Sequence, residues 1–296
     1  MKNKVLVIIV TYNAMQWAKR CFDSLLQSKE PVDVFVIDNG STDGTQAYIQ
    51  NNYPFVHFEQ SLTNDGFGKA NNKGLRYAFK EGYEYAYLLN QDAWIFPDTI
   101  SKLLDMQRNN PEYAILSPMQ MQANMEFLDD NFIEFTCCFS SNKKLFSDLF
   151  ADRRNELYEV DFVMAAHWLM DLSIVRKVGI FSPSFPHYRE DNNLISRIKY
   201  HGYKVGIVLS SLAVHDRENR EITIQKKMHF HYTSVILMLS DPRSNISLYA
   251  HSFEFVKAAI KHKSYVPLKH LWLLWKNYPQ IKLNKRLSLT SVGAFI

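Results

Sequence analysis

The 296-residue chain is predicted to fold as an α/β protein: a doubly wound, mostly parallel sheet flanked by helices, with a helical extension at its C-terminal end. Three observations predict it. Apolar runs of strand length alternate with helix-patterned segments through most of the chain, the order expected of a doubly wound sheet. Those runs are apolar residue after residue instead of alternating with polar ones, as strands buried on both faces are. Several end in polar residues that a core does not need, and the carboxyl rim of such a sheet is where ligands bind.

Taken in order, Lys4 to Val10 is the first buried strand. Trp17, Cys21 and Leu25 follow at i, i+4, i+8 spacing and mark a helix. After Pro31, VDVFVID forms a second strand that ends at Asp38; Asp38 to Thr45, DNGSTDGT, is a turn with a Ser or Thr placed to cap the next helix. Phe55 to Glu59 is a short third strand, and the Gly/Asn-rich Asn64–Gly74 leads into helix-like LRYAFKEG. The stretch Glu84 to Phe96, EYAYLLNQDAWIF, is the fourth strand and carries Asn90, Gln91 and Asp92 at its end. Pro97 to Arg108 is helical and Tyr113 to Met121 a strand. FIEFTCCF has strand character, while KKLFSDLFADRR reads as a helical or mobile insertion. Glu159 to Met170 is β-like, and DLSIVRKVG is a short helix ended by Gly179. Phe181 to His187 is a loop, Arg189 to His201 a helix stopped by Gly202, and Tyr203 to Val214 a last strand or pair. Beyond Glu218, helices are expected near Ile222–Ser240, Asn245–His262 and Pro267–Tyr278. Residues 1–220 are therefore expected as one α/β domain, its two halves meeting near residue 100, and 221–296 as a helical extension.

Hydrophobic residues make up 47% and charged residues 22%, an ordinary globular balance. Cys21, Cys137 and Cys138 are too few and too badly spaced for a disulfide framework or a zinc site, which fits a reducing cytoplasmic setting. The opening MKNKVLVIIVTYN reads as a strand, not a signal peptide. No run approaches the roughly 18 apolar residues of a spanning helix. The net charge of +4 hides an asymmetry: from His251 onward eight Lys or Arg face one acid, Glu254, so the remainder of the chain is slightly negative. This basic tail has two readings. Val266, Leu271, Trp272, Leu274 and Trp275 with flanking lysines could lie on an anionic membrane, or the helix could pack on the domain or form a homodimer contact. Nucleic acid is not expected, because the aromatic and basic residues show no stacking-groove pattern.

Four strand ends or turns carry the chemistry: Thr11-Tyr12-Asn13, Asp38-Asn39, Asn64–Gly74 and Asn90-Gln91-Asp92. On parallel neighbours all four share one rim. A lone carboxylate there, Asp92, suits a divalent ion that keeps waters and a substrate's phosphates; the alternative is a helix cap, since Pro97 opens a helix nearby. Asp38 could accept from a base or ribose, or simply hold its turn. The Gly/Asn segment matches neither GxGxxG nor the P-loop, which weakens nicotinamide and P-loop readings. Glu190-Asp191 could cap their own helix, and His215, at a strand end before Asp216, is either structural or a metal ligand.

As an ordered set, VTYN, IDNGSTDGT, NDGFGKANNKG, LLNQDA, YREDNNLISRIKYHGY and VH resemble the family-2 glycosyltransferases of the GT-A fold, and most of all their bacterial rhamnosyltransferase-like branch. The resemblance spans about residues 4 to 217. It implies a metal-dependent, inverting transfer of a hexosyl or deoxyhexosyl unit from a nucleoside-diphosphate sugar to a glycan or lipid-linked acceptor, in bacterial surface polysaccharide synthesis. It further implies a cytoplasmic protein that can sit peripherally at the inner face of the membrane. Thr11, Tyr12, Asn13, Asp38, Asn39, Gly66, Phe67, Lys69, Asn72, Asn90 and Gln91 would form the donor pocket, with Asp38 accepting from the base. Asp92 and His215 would hold Mg²⁺ or Mn²⁺. Asp191 would be the general base, with Glu190, His167 and Trp168 on the acceptor side. The chain departs from the family pattern in four places. Asn90 replaces the first acid of the D-x-D motif, Lys69 a small residue, Ala165-Ala166 a glycine, and Asn193 an aspartate two positions after the base.

Two rival functions find partial support in the sequence. Nucleotidyl transfer needs a basic residue at the α-phosphate in an N-terminal glycine-rich loop, and VTYNAMQW offers neither. A sugar-nucleotide binding protein with a decayed site draws on Asn90 and Asn193, and predicts donor binding without turnover.

Overall fold

The computed structural model describes residues 4–137, 142–217, 223–290 and 292–296. Its centre is a row of strands whose apolar sequences are buried on both faces: β1 (Val5–Thr11), β2 (Val32–Asp38), β3 (His57–Gln60) and β4 (Tyr85–Asn90) run parallel in the order β3-β2-β1-β4. The helices between them are α1 (Met15–Leu26), α2 (Thr45–Asn52) and α3 (Phe67–Glu81). Beyond β4 come β5 (Ala93–Ile95), α4 (Thr99–Asn109), β6 (Tyr113–Met121), α5 (Lys143–Phe150), β7 (Leu157–Glu159), β8 (His167–Asp171), α6 (Leu172–Val178), α7 (Glu190–Tyr200) and β9 (Lys204–His215). The sheet continues as β4-β8-β6-β9-β5, with β7 also on β9. Because β8 is antiparallel to β4 and β6, and β5 and β7 antiparallel to β9, six of the nine strands among the described residues point one way. The sheet is thus mixed but mostly parallel, as expected.

Alternate residues of each strand serve opposite layers. Leu6, Ile8, Phe35, Ile37 and Leu88 pack with Ala70, Leu75 and Ala78 of α3, while Val5, Val7, Ile9, Val34, Val36 and Leu89 pack with Cys21, Phe22 and Leu25 of α1 and with Leu103 and Leu104 of α4. Contact between α3 and β1 is close: a Cβ on Gly74 would lie 2.6 Å from the Ile8 side chain. Gly74→Ala is therefore expected to force the buried Ile8 aside and destabilise the fold by about 1–3 kcal/mol, measured as a lowered midpoint in chemical denaturation.

Four expectations change. FIEFT, expected as strand, is a π-helix at Phe132–Thr136; its apolar residues match either state, and Phe132 is buried while Ile133 and Phe135 are exposed. The end of that run, with Cys138, lies outside the described residues. Glu159–Met170 is not continuous β: only its two ends are strands, with an irregular link that brings Ala165 and Ala166 to the sheet rim. Asp171 ends β8 and caps α6, its carboxylate accepting from the backbone of Ser173 and Ile174. Finally, the C-terminal helix does not stop at Tyr278.

The extension consists of α8 (Ile224–Ser240), α9 (Leu248–Lys261) and α10 (Val266–Thr290); the expected first position, Ile222, lies outside the described residues. α10 runs through Pro279, which removes one helical hydrogen bond and costs about 3 kcal/mol. Anchors beyond the proline hold it: Ile281 is buried, Asn284 donates to Ser184 Oγ at 2.8 Å, and His201 Nε2 lies 2.9 Å from the Ser288 carbonyl. Residues 293–296 then lie back on the α/β body. Gly293 N–H donates to Lys177 O, Ile180 N–H to Ala294 O, and Arg76 to Phe295 O. Phe295 covers the guanidinium of Arg197, itself fully buried and donating to the carbonyls of Ile180 and Val178 at 2.6 and 2.7 Å. No helix among the described residues is long and apolar enough to cross a membrane.

Candidate active site at the carboxyl rim of the sheet

Strand register assembles the site. Thr11 lies beside Asp38, Val10 beside Asn90, and Asp38 beside Gln60, so the segments following β1, β2, β3 and β4 leave the sheet at one level. Antiparallel β8 starts there too, with His167 opposite Leu89, and β9 ends there, with His215 opposite Ala93.

The β1 and β2 ends are laced together. Asp38 is fully buried and takes five hydrogen bonds: from the N–H groups of Gly40 and Ser41, from Gln46 Nε2, and from the hydroxyls of Thr11 and Ser41. Five donors use up a carboxylate. Asp38, expected to face the donor's base, instead organises the loop that would. The same loop grips its neighbour: Asn13 N–H donates to Ser41 Oγ, Thr42 N–H to the Asn13 side chain, and Ala14 N–H to Thr45 Oγ1, all at 2.8 Å. Asn13 adopts φ 51° to do so, a conformation asparagine tolerates better than most residues. Gln91 clasps Tyr12 from the other side, accepting its N–H at 2.7 Å and donating to its carbonyl at 3.2 Å. The Tyr12 ring is left half exposed.

Asn39 donates to Gly66 O at 3.3 Å, tying the β2 end to the start of α3. Gly66 has φ 78° and ψ 176°, a region open to glycine alone, and a Cβ there would meet the Pro186 carbonyl at 2.6 Å. Phe67 packs edge-on against Phe181, and Asn72 pairs with both backbone groups of Phe181 at 2.9 and 3.0 Å. These two residues, expected in the donor pocket, bind the α3 wall to the 181–190 segment. Lys69 is exposed.

At the far side Asp92 and His215 meet, with 3.4 Å between Oδ1 and Nε2. Burial alone would raise the Asp92 carboxyl, but hydrogen bonding and charge at His215, helped by the charge of Arg217, hold it below the usual carboxylate range. Adjacent ligands on an octahedral ion with bonds of about 2.1 Å stand about 3 Å apart, so this pair fits around one divalent cation. Asn90 Nδ2 lies 3.5 Å from the same nitrogen, and turning the amide over would present its oxygen instead. No group of three His, Cys, Asp or Glu suited to a metal occurs among the described residues, so the protein would supply two strong ligands and leave the others to substrate and water. The reading of the sequence missed Arg217, held by Asp129 at 2.9 Å and close enough to act on Asp92; its only signal was its place two residues after His215.

The Glu190–Asp191 pair follows two consecutive non-glycine residues in the left-handed region, Tyr188 (φ 69°) and Arg189 (φ 74°), a strain that concentrates at functional sites. Asp191 accepts from the backbone N–H of Asn192 at 2.8 Å, and the Ala165 backbone also favours its ionised form. Burial raises its carboxyl above the ordinary range despite those donors. Burial, then the adjacent Asp191, pushes Glu190 up to about 8. One Glu190 oxygen has no partner among the described residues. Since the folded state keeps a proton there that an unfolded carboxyl loses near pH 4.5, Glu190 draws stability out of the fold as pH rises from there to about 8. Glu190→Gln should therefore raise the melting temperature at pH 9 relative to the parent and change it less at pH 5, which paired thermal melts would read.

His167 and Trp168, expected on the acceptor side, lie wholly in the core. His167 meets the Tyr87 hydroxyl and the Val214 carbonyl, and burial pushes it down to about 3. Trp168 stacks on Phe181 and donates to Val163 O. The exposed aromatic beside Asp191 is Tyr188, with His187 at 4.0 Å and Phe230 of α8 at 4.9 Å between ring centroids.

One connection joins the two acidic ends of the site. The Ala165 backbone lies close enough to the Asp191 carboxyl to draw it downward against the effect of burial, and the next residue's carbonyl, Ala166 O, accepts from Asn90 N–H at 3.0 Å. Asp191 and the Asn90–Asp92 segment thus flank one short stretch of backbone.

Residues 6–179 match the family profile described as glycosyl transferase family 2. An undecaprenyl-phosphate mannosyltransferase of Micrococcus luteus is 31% identical over 108 residues, 36% of this chain and 44% of that protein. An N-acetylglucosaminyl-diphospho-decaprenol L-rhamnosyltransferase of Mycobacterium tuberculosis is 32% identical over 122 residues, 38% of this chain and 40% of that protein. These matches span less than half of each curated relative. A mannosyltransferase of Pyrobaculum calidifontis, solved with GDP-Man and Mn²⁺, superposes with a TM-score of 0.55 over 98% of this chain and 75% of its own, at 16% identity; that likeness is one of fold.

Proposed function

The chain belongs to glycosyl transferase family 2 and has the GT-A fold, and from that premise we propose that it is an inverting, metal-dependent transferase acting from a nucleoside-diphosphate sugar on a hydroxyl of a glycan or lipid-linked acceptor. The observation that supports the reading is the shared backbone stretch: Asp191 neighbours the Ala165 backbone and Asn90 N–H donates to Ala166 O, so the two acidic ends of the rim adjoin the same two residues.

An acceptor hydroxyl is a weak nucleophile at neutral pH. Asp191 takes its proton as the oxygen attacks the anomeric carbon, and the bond to the diphosphate breaks on the opposite face. General-base help of this kind contributes roughly 10²–10⁴-fold. A raised pKa suits the role, because a more basic carboxylate accepts a proton more readily. Glu190, held neutral near pH 7, adds no second negative charge beside Asp191. On the donor side, the Tyr12–Gln91 clasp and the Asn13–Ser41 and Thr42–Asn13 bonds fix the loops that would receive base and ribose, with Tyr12 offering an exposed ring face. Asp92 and His215 would hold Mg²⁺ or Mn²⁺, which when bound neutralises charge on the departing diphosphate. Arg217 adds a fixed positive charge on that side.

The lipid carriers named for the two curated relatives support a lipid-linked acceptor here, used at a membrane surface in polysaccharide assembly. A thermal-shift panel of nucleoside diphosphates with Mn²⁺, followed by an assay for diphosphate released from the stabilising donor, tests the proposal. Stabilisation with turnover is the expected result; stabilisation without turnover in the presence of any glycan or lipid-linked acceptor supplied would favour a binding protein with a decayed site.

A further inference from the structure

The helical extension exposes an aromatic face that its own fold does not use. On α9, Tyr249, Phe253, Val256 and Ile260 fall within one narrow arc of the helix, with Tyr249, Phe253 and Ile260 at 74, 64 and 75% exposure. The residues that bury α9, Leu248 and Phe255, lie on a different side. α10 repeats the arrangement: Leu274 and Ile281 are buried, and the opposite face carries Leu268, Trp272, Trp275 and Leu283, preceded by Tyr265 at 75% exposure. Tyr249 packs edge-on against Trp275 with ring centroids 4.7 Å apart, so the two stripes meet. From the sequence alone Leu271 and Leu274 are expected on this surface. Leu274 is core, and α9 supplies the missing half.

Basic side chains flank the stripes. Lys257 lies over the Phe253 ring and Lys276 over the Trp272 ring, at 4.6 and 5.1 Å, and Lys261, Lys263 and Lys269 are exposed nearby. From Leu248 to Thr290 the only acid is Glu254, and it sits within 4 Å of His231 and His251. An apolar, aromatic face ringed with lysines is the composition of a helix pair lying in the headgroup layer of an anionic bilayer. We propose that this α9–α10 face docks on an anionic lipid surface, with Phe253, Ile260, Tyr265 and Trp272 entering the apolar boundary and the lysines meeting lipid phosphates. A second copy fits worse: pairing the face with itself would set two strongly basic surfaces against each other, whereas anionic lipid supplies the opposite sign.

The proposal deepens the reading of a lipid-linked acceptor and rests on it. α8 connects the face to the site: His229 reaches the His187 carbonyl at 3.2 Å, its ring lies 5.9 Å from that of His270 on α10, and Phe230 touches Tyr188. A carrier embedded beside α10 would therefore bring its head near Asp191.

The test is flotation of the full chain with phosphatidylcholine vesicles, with and without phosphatidylglycerol. The parent should float with the anionic vesicles and stay behind with pure phosphatidylcholine, and salt should weaken the binding. The triple variant Phe253→Ser, Ile260→Ser, Trp272→Ser and the triple variant Lys257→Glu, Lys269→Glu, Lys276→Glu should each lose binding by about tenfold or more. Unchanged thermal melting and donor binding in both would show that only the surface had changed. A parent that ignores anionic vesicles, or variants that float as it does, would overturn the proposal; so would a concentration-dependent dimer in sedimentation that the serine variant abolishes. Because flotation requires no turnover, an inactive enzyme that still binds vesicles would count against the transfer reading and leave this one standing.

Discussion

Asp191→Asn is expected to lower the transfer rate by roughly 10²–10⁴-fold while leaving nucleotide-sugar binding close to that of the parent. Asparagine preserves the size of the side chain and can still accept from the Asn192 N–H, so the rim should keep its shape. What disappears is the capacity to take a proton from the acceptor hydroxyl. Rate measured at saturating donor and acceptor, alongside calorimetric titration of the donor, separates the two effects. A variant that transfers at near-parental rates would remove Asp191 from the role and reopen the choice of base. The parent's rate should also rise with pH through the acidic range, since burial lifts the Asp191 carboxyl and it must lose its proton before it can accept another.

The second large effect is expected at Asp92→Ala. Asp92 is the only carboxylate of the NQD segment, and with His215 it forms the pair that fits one divalent ion. Removing it should abolish the gain in donor affinity produced by adding Mn²⁺, a binding readout that needs no catalysis. Residual metal-independent binding through the loops around Tyr12 and Asn13 should survive. If titrations with and without Mn²⁺ showed the same metal-dependent gain in variant and parent, the ligand would have to be sought elsewhere. Stability gives a second check: Asp92 is held ionised by His215, so its loss leaves the buried imidazole without that partner.

Much of this arrangement could be read before any coordinates. Strands buried on both faces announce themselves as unbroken apolar runs: β1 and β2 appear where Lys4–Val10 and VDVFVID predict them, and Glu84–Phe96 holds β4 followed by the separate β5. Polar clusters at their ends marked the rim because no core requires Asn90, Gln91 and Asp92 in a row. The division of labour within the rim was illegible. Whether Asp38 faces a ligand or its own loop depends on where Ser41, Gln46 and Thr11 point, and a motif names the residues without their directions. His167 and Trp168 were misplaced for a topological reason: β8 enters the sheet antiparallel between β4 and β6, so residues near the rim in sequence are already inside the core. FIEFT has the composition of either a strand or a helix turn, and only packing decides. The outward faces of α9 and α10 were half legible, because an amphipathic pattern identifies an apolar stripe without saying which stripe the domain consumes.

The contact of Phe295 with Arg197 has a consequence for biogenesis. A guanidinium withdrawn from water without a carboxylate partner is costly until something covers it, and residues 293–296 supply that cover only after nearly all of the chain they rest on has emerged from the ribosome. A nascent chain halted before them would leave the α6–α7 layer open to chaperones and proteases. Closure of this layer is accordingly expected to wait until residues 293–296 have left the ribosome.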